Sequence, residues 1–317
     1  MNFLWYLIVR LAGALATVIV GSFLIFLIMQ LAPGDPALTV LGDAATPETI
    51  EAYRHEHGLD RPIVIQYLIW LENAAQGNLG NSIALAGKFP ISELLANRLP
   101  VTIFIGIYGL VIALFISLVA GTIAALRHGK LADTAATSIA VLGISMPDFW
   151  LSYVLILAFA LSFTWFPSYG FTTPAQDFTG AFYSGFLPAL AIAAPMAGVF
   201  ARILRAALLE TARREYVTAA RSFGFAAPFV FLHYVFRNAL IPFVTVVGLQ
   251  VRYLLGGVVI IERIFGIAGM GSLMVDAAFG RDYPVVQACA LTFLGVVLTV
   301  NLVVDVACAM LDPRRTH

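Results

Sequence analysis

Long apolar stretches, separated by shorter polar ones, run through most of the chain. Six of them are long enough to cross a bilayer as helices of about 20 residues. The predicted spans are about 9–31, 101–126, 134–163, 186–206, 241–261 and 285–310. Proline interrupts the pattern at "SMPDFW" (145–150) and at Pro188 and Pro195. Such breaks are tolerated where neighbours or a polar cavity satisfy the freed backbone groups, so they fit a lined pathway or ordinary packing kinks.

The composition excludes a soluble domain. Of the 317 residues, 61% are hydrophobic and 11% are charged, which is more apolar surface than a soluble fold can bury. The formal net charge is zero, so bulk charge suggests no nucleic-acid partner, and membrane lipid is the expected surroundings. The first apolar run ends in "APGDP" and not in a small-residue cleavage site, which predicts a retained first span. The sequence therefore predicts an all-α membrane protein with six transmembrane helices.

The lysines and arginines predict how the spans are oriented. With the amino terminus inside, eleven of the eighteen basic residues fall on the inner side and six on the outer side. Arg252 lies within a span. This positive-inside pattern predicts that both termini are cytoplasmic.

The predicted spans divide the chain into three regions. Residues 1–31 form the first transmembrane helix, 32–100 an extracytoplasmic loop region, and 101–317 a five-helix core with a polar cytoplasmic element at 206–240. In the loop region, Thr46-Pro47 predicts the start of a short helix and Gly58 its end. Residues 61–77 form an amphipathic stretch with a tyrosine and a tryptophan, which suits a position at the membrane surface.

The polar element has the pattern of two helices joined by a tight turn. Residues 206–223 contain neither glycine nor proline, which predicts a helix continuing out of span four. Gly224 can adopt a left-handed conformation and end it. Pro228 suits the first turn of a second helix, which leads into span five. The pattern fits a stiff protrusion that transmits movement, and it also fits an inner loop that happens to be helical.

Sequence motifs along the whole chain resemble one family of transport proteins. Thr218-Ala219-Ala220, followed after three residues by Gly224, resembles the "EAA…G" signature of ABC-transporter permease subunits, with Thr218 in place of the usual glutamate. Further motifs, in order from end to end, resemble the dipeptide/oligopeptide/nickel branch. They are "APGDPA" (32–37), "HGLDRPIVIQYL" (57–68), "GNLGNSI" (77–83), "SMPDFW", "RNALIPFVTVVGLQ" (237–250), "RDYPVVQ" (281–287) and "NLVVDVACAMLDPR" (301–314). The long outer loop after span one resembles the B-type permease of such systems.

This resemblance implies an ABC importer type I permease fold and a role for the polar element. In the family a short cytoplasmic helix docks into a groove on an ATPase subunit and couples ATP use to movement of the pore. The implied coupling residues are Glu215, Thr218, Ala219, Ala220, Arg221 and Gly224. The implied partners are a second permease, two ATPase subunits that bind ATP and Mg, and an extracytoplasmic solute-binding protein. The implied substrate is a peptide or a similar small solute.

The chain carries no motif for chemistry of its own. A phosphate-binding G-x-x-x-x-G-K-[ST] loop is absent from the sequence, whose two lysines, Lys88 and Lys130, lie in other contexts. The chain is therefore expected to lack ATPase activity and to bind no cofactor. His55 and His57 diverge on a helix, so no metal site is expected there. Catalytic residues are not expected either.

Three ionisable residues fall within predicted spans: Asp148, Arg252 and Asp305. A charge at mid-bilayer costs about 2.5–3.5 kcal/mol on insertion scales, so each is expected to face protein or water. Asp148 either caps the helix break or lines a pathway with Met146. Arg252 either attracts a substrate carboxylate or forms an ion pair, and Asp305 is interpreted as structural. Asp148 and Arg252 both depart from the family pattern.

Two other functions compete with the importer. An ion-coupled secondary transporter typically has internal repeats and more buried carboxylates, and this sequence has few of either. A channel requires a selectivity filter, and no such segment stands out.

Overall fold

A computed structural model describes residues 3–31, 41, 45–56, 58, 60–83 and 89–311, and within them the fold is helical, with one isolated β-bridge between Asn81 and Pro90. The side chains of 3–7, 53, 56, 252, 253, 255 and 307–311 lie outside this description. So do "APGDPA" and His57. In chain order the helices are α1 (Phe3–Leu31), α2 (Pro47–Glu56), α3 (Ile63–Ala75), α4 (Ile91–Leu126), α5 (Leu131–Ser145), α6 (Asp148–Leu155), α7 (Phe178–Ala212), α8 (Glu215–Ser222), α9 (Ala227–Val230), α10 (Arg237–Phe265), α11 (Met270–Phe279) and α12 (Tyr283–Leu311). Two π-helical segments, Ile156–Ser162 and Phe231–Phe236, extend α6 and join α9 to α10.

The described residues include five helices long and apolar enough to cross a membrane, and two bent helix pairs raise that number to as many as seven. The count of six and the sidedness stay predictions. The predicted third span is the bent pair of α5 and α6, which turns by 109° at Met146-Pro147, where "SMPDFW" predicted an interruption. Helix α7, in contrast, runs through Pro188 and Pro195 without a break.

The chain divides into two compact units. The first is built mainly from 102–267 and the second from 4–101 and 268–298, while the predicted domain boundaries after residues 31 and 100 stay predictions. In the first unit α7 is the central helix, because 61% of its most apolar window is buried, against 28% or less for the other long spans.

Small residues let the helices of the first unit approach α7 closely. A Cβ atom on Gly198 of α7 would lie 2.5 Å from the carbonyl oxygen of Ala140 on α5, and one on Gly121 of α4 would lie 2.8 Å from that of Ala201. Interfaces of small residues are typical of membrane helices, which associate by close backbone packing.

We expect Gly198→Leu to separate α5 from α7 and to destabilise the folded permease. Overpacking a tight interface costs typically about 1–3 kcal/mol, and here the obstacle is a backbone carbonyl that cannot rotate away. The measurement is the melting temperature and the monodisperse yield of detergent-purified protein. Gly13→Leu is the matched control, since nothing in the described part of the chain lies within 4 Å of a Cβ at Gly13, apart from its sequence neighbours. Equal stability of the two variants would contradict the packing argument.

The second unit confirms the predicted short helix of the loop region and shows a further helix in the amphipathic stretch that follows it. Thr46 precedes α2 and its Oγ1 accepts a hydrogen bond from the Thr49 amide at 3.3 Å, while Gly58 follows the helix with φ +66°. Helix α3 lies within the predicted 61–77 stretch and packs on α1, where the Tyr67 ring contacts Phe23 edge-on and the Tyr67 hydroxyl lies 2.9 Å from Ser22 Oγ. Its position at a membrane surface stays a prediction.

Candidate functional site

The predicted polar element is a separate helix and not an extension of span four. The expectation of one continuous helix over 206–223 is wrong, because α7 ends at Ala212 and the extended Arg214 (ψ 146°) separates it from α8. Val217 lies nine residues after Leu208, about two and a half helical turns, so a straight helix would place these side chains on opposite faces. The break lets both of them enter one core.

Helix α8 has one buried face and one free face. Val217 is fully buried and Ala220 is 5% exposed, and both belong to the core cluster that contains Leu204 and Leu208 of α7. The other predicted coupling residues on this helix are exposed: Glu215, Thr218, Ala219 and Arg221. Ala220 therefore anchors the buried face of α8 to the core. The four exposed residues are available to a partner.

Gly224 closes α8 in the left-handed conformation that the sequence predicted, and the turn that it forms is a complete Schellman motif. Its φ is +79°, its amide donates to the Arg221 carbonyl at 2.9 Å, and the Phe225 amide donates to the Ala220 carbonyl at 3.4 Å. Pro228 lies in the first turn of α9, which also confirms the prediction. The two helices are thus joined by a turn of fixed geometry.

Aromatic side chains surround this turn, a feature that the sequence analysis did not single out. Phe223 is 82% exposed, and the neighbouring Phe225 and Phe229 are also exposed and pack on each other with ring centroids 5.5 Å apart. Large apolar groups this open are typical of a surface that another protein covers.

A partly buried ion pair ties α5 to α7 near the polar element. Arg205 of α7 donates through Nε to Asp133 Oδ1 at 2.6 Å and through Nη2 to Oδ2 at 2.8 Å. The Gly129 amide also donates to Oδ2 at 2.9 Å, and His128 Nδ1 lies 3.0 Å from the same oxygen. Asp133 is only 5% exposed. The pair therefore fixes the first turn of α5 against α7.

The bend between α5 and α6 adjoins a small cavity. Its volume is about 160 Å³, and Asp148, Gln250 and Gly257 contribute to its lining together with apolar side chains of α5, α7 and α10. Met146 is half-buried and is not among the lining residues, and the Arg252 side chain lies outside the described residues. The alternative in which Asp148 caps the helix break is wrong, since no described amide donates to its carboxylate and Pro147 precedes the helix without a side-chain cap.

The structure also contains a buried acid that the apolar windows did not single out. Glu262, one residue beyond the predicted fifth span, is fully buried and accepts a hydrogen bond from Thr102 Oγ1 at 2.5 Å. No local pattern marks this pair, because 160 residues separate its members.

The apolar spans, the broken span beside a cavity and the stiff helix–turn–helix together define a multi-pass membrane permease. Residues 117–317 match the family described as binding-protein-dependent transport system inner membrane component, and residues 3–106 match its N-terminal region. The chain belongs to this family and is a multi-pass protein of the inner membrane.

Similar proteins match nearly the whole chain. A putative peptide transport system permease protein of Brucella abortus is 39% identical over 306 residues, which cover 96% of both chains. The glutathione transport system permease protein GsiC of Escherichia coli is 36% identical over 308 residues, 97% of both chains.

Solved structures share the fold. A chain of the inward-facing MetNI methionine ABC transporter aligns with a TM-score of 0.55 at 17% identity, over 69% of this chain and 96% of that chain. A chain of an amino acid ABC transporter with histidines aligns with a TM-score of 0.54 at 16% identity, over 69% and 94% of the two chains. The fold is therefore that of ABC importer permeases.

Proposed function

We propose that this chain forms half of the translocation path of an ATP-driven importer and is moved by ATPase subunits through α8. The observation that carries the proposal is the construction of α8. It is anchored through Val217 and Ala220, it is closed by a rigid Schellman turn at Gly224, and it is free on its remaining face. Such an element can receive a push or pull without bending.

The contacts of α8 supply a route from this element to the cavity. A displacement of α8 would move the core residues that Val217 and Ala220 contact, among them Leu204 and Leu208 on α7. The Asp133–Arg205 pair, about two turns before the end of α7, carries that displacement to the start of α5. The other end of α5 is the bend beside Asp148, so one end of this helix is tied to Arg205 of α7 and the other end adjoins the cavity.

The proposed partners supply the ATP-binding motif that this sequence lacks. The sequence has no phosphate-binding loop, so ATP and Mg would be bound by two partner ATPase subunits. The exposed Phe223 and the free residues Thr218 and Ala219 would enter a groove on one of them. A second permease would complete the path, and an extracytoplasmic binding protein would deliver the solute. Relatives named for peptide and glutathione transport favour a small peptide as that solute.

The test is uptake by the complete transporter, copurified with the tagged chain and reconstituted in liposomes with its binding protein. We expect uptake of a labelled dipeptide or tripeptide that requires ATP on the α8 side, stops with a non-hydrolysable ATP analogue and continues in the presence of an uncoupler. Uptake by this chain alone that the uncoupler abolishes would instead show an ion-coupled secondary transporter.

A further inference from the structure

Two polar side chains that line the cavity at the α5–α6 bend have no hydrogen-bond partner among the described residues. Asp148 is half-buried, and no described donor forms a hydrogen bond or an ion pair with its carboxylate. The side-chain amide of Gln250, which is on the α10 wall of the same cavity, also has no hydrogen-bond partner among the described residues. The lining contributed by α7 is apolar, with Ile192 and Met196 among its side chains.

A carboxylate within a membrane span, without a partner among the described residues, indicates a binding role. Ionisable side chains within membrane spans are costly, and they are found where they pair or line a polar pathway. Because the Asp148 carboxylate does not cap its own helix, local structure does not account for it. Gly257 matters here, since a Cβ at this glycine would lie 3.3 Å from Asp148 Oδ2 and narrow the space beside the carboxylate.

The size and chemistry of the cavity indicate what it would hold. Pockets that enclose a whole ligand typically measure about 300–1,000 Å³, so a cavity of about 160 Å³ would take only one end of a substrate. A carboxylate and an amide oxygen are acceptors, and their strongest complement is a cationic donor. A primary ammonium group with three N–H donors suits both the volume and the acceptors.

We propose that Asp148 and Gln250 form a binding site for the primary ammonium group of the substrate as it passes the α5–α6 bend. The proposal rests on the peptide-import function given above, because the amino terminus of a peptide carries such a group. A lysine side chain offers the same chemistry. The site would favour substrates with a free ammonium group over neutral ones of the same size.

The experiment uses the complete transporter in liposomes, with three labelled peptides as probes: Ala-Ala, N-acetyl-Ala-Ala and N-acetyl-Ala-Lys. Uptake is compared at concentrations that load the binding protein equally, so that delivery does not limit the comparison. Asp148→Asn keeps the shape and removes the charge. We expect it to lower uptake of Ala-Ala by about tenfold, the effect of losing one charge-assisted hydrogen bond, and to leave uptake of N-acetyl-Ala-Ala unchanged. Equal loss for N-acetyl-Ala-Lys and Ala-Ala would show that any ammonium group serves, whereas loss for Ala-Ala alone would identify the amino terminus.

Two further variants separate this role from folding. Asp177→Asn is the matched control, because asparagine replaces aspartate well as an N-cap and Asp177 caps α7 outside the cavity. We expect it to transport all three peptides like the wild type. Gln250→Met keeps the volume of the side chain, and we expect a smaller loss that is again confined to peptides with an ammonium group.

Several results would overturn the proposal. Normal Ala-Ala uptake by Asp148→Asn, or equal loss for the neutral peptide, would exclude ammonium binding. Rescue of Asp148→Asn by Arg252→Gln would show that Asp148 serves as an ion-pair partner. A wild-type transporter that imports none of the three peptides would refute the peptide substrate itself, and this site with it. A wild type that imports them together with an unaffected Asp148→Asn would refute only the site.

Discussion

We expect Gly224→Val to uncouple ATP hydrolysis from uptake while leaving the permease folded and inserted in the membrane. Left-handed backbone costs an L-residue about 1–2 kcal/mol, and a β-branched residue resists it further. No atom of a non-neighbouring described residue lies within 4 Å of a Cβ at Gly224, so the strain arises from the backbone and not from a clash. The turn would relax toward negative φ, and the Schellman bonds that fix α8 relative to α9 would be lost.

The measured quantity is the number of peptides imported per ATP hydrolysed. A strain of about 1–2 kcal/mol lowers the population of the native turn by a factor of roughly 5–30. We expect the number of peptides imported per ATP to decrease by a factor in the same range. Gly224→Asn is the matched control, because asparagine enters left-handed backbone more readily than other residues with a side chain. It should transport nearly as well as the wild type. Normal coupling in the valine variant would remove the turn from the mechanism.

Local chemistry explains what could be predicted from the sequence. The left-handed turn at Gly224, the helix start at Pro228 and the bend at "SMPDFW" depend on residues within about one helical turn of each feature. The same holds for the helix that Thr46 and Gly58 delimit. At these positions a single residue type decides the backbone geometry, so reading the sequence is enough.

Long-range packing explains what could not be predicted. Nothing between 206 and 223 marks a helix break, because the break is stabilised by the distant core that receives Val217 and Ala220. For the same reason, motif similarity predicted the segment proposed to couple to an ATPase but could not tell that Ala220 is buried while Thr218 and Ala219 are exposed. The cavity beside Asp148 is built from three separate stretches of the chain, and no local pattern connects them.

Substitutions in the Asp133–Arg205 pair are expected to have the second large effect. They distinguish a contribution to the stability of the fold from a contribution to the transmission of movement from α7 to α5. We expect Arg205→Leu alone to lower the melting temperature of the purified transporter markedly, because it leaves the buried Asp133 carboxylate without its main partner. Replacing both members of a buried ion pair with apolar residues is often neutral or stabilising, so Asp133→Leu combined with Arg205→Leu should recover much of that stability. Glu210→Gln is the control, because it breaks an exposed pair with Arg214 that contributes little to stability.

Coupling should not recover with stability. In the double variant α5 packs on α7 without the charge-assisted bonds that hold its first turn in register, so movement of α7 would reach the bend beside Asp148 only in part. We therefore expect the double variant to melt near the wild-type temperature and to hydrolyse ATP, yet to import fewer peptides per ATP. A double variant with both normal stability and normal coupling would show that the pair is purely structural and that α8 drives the cavity by another route. Failure of the double variant to regain stability would show instead that the Gly129 and His128 contacts of Asp133 carry as much of the fold as Arg205 does.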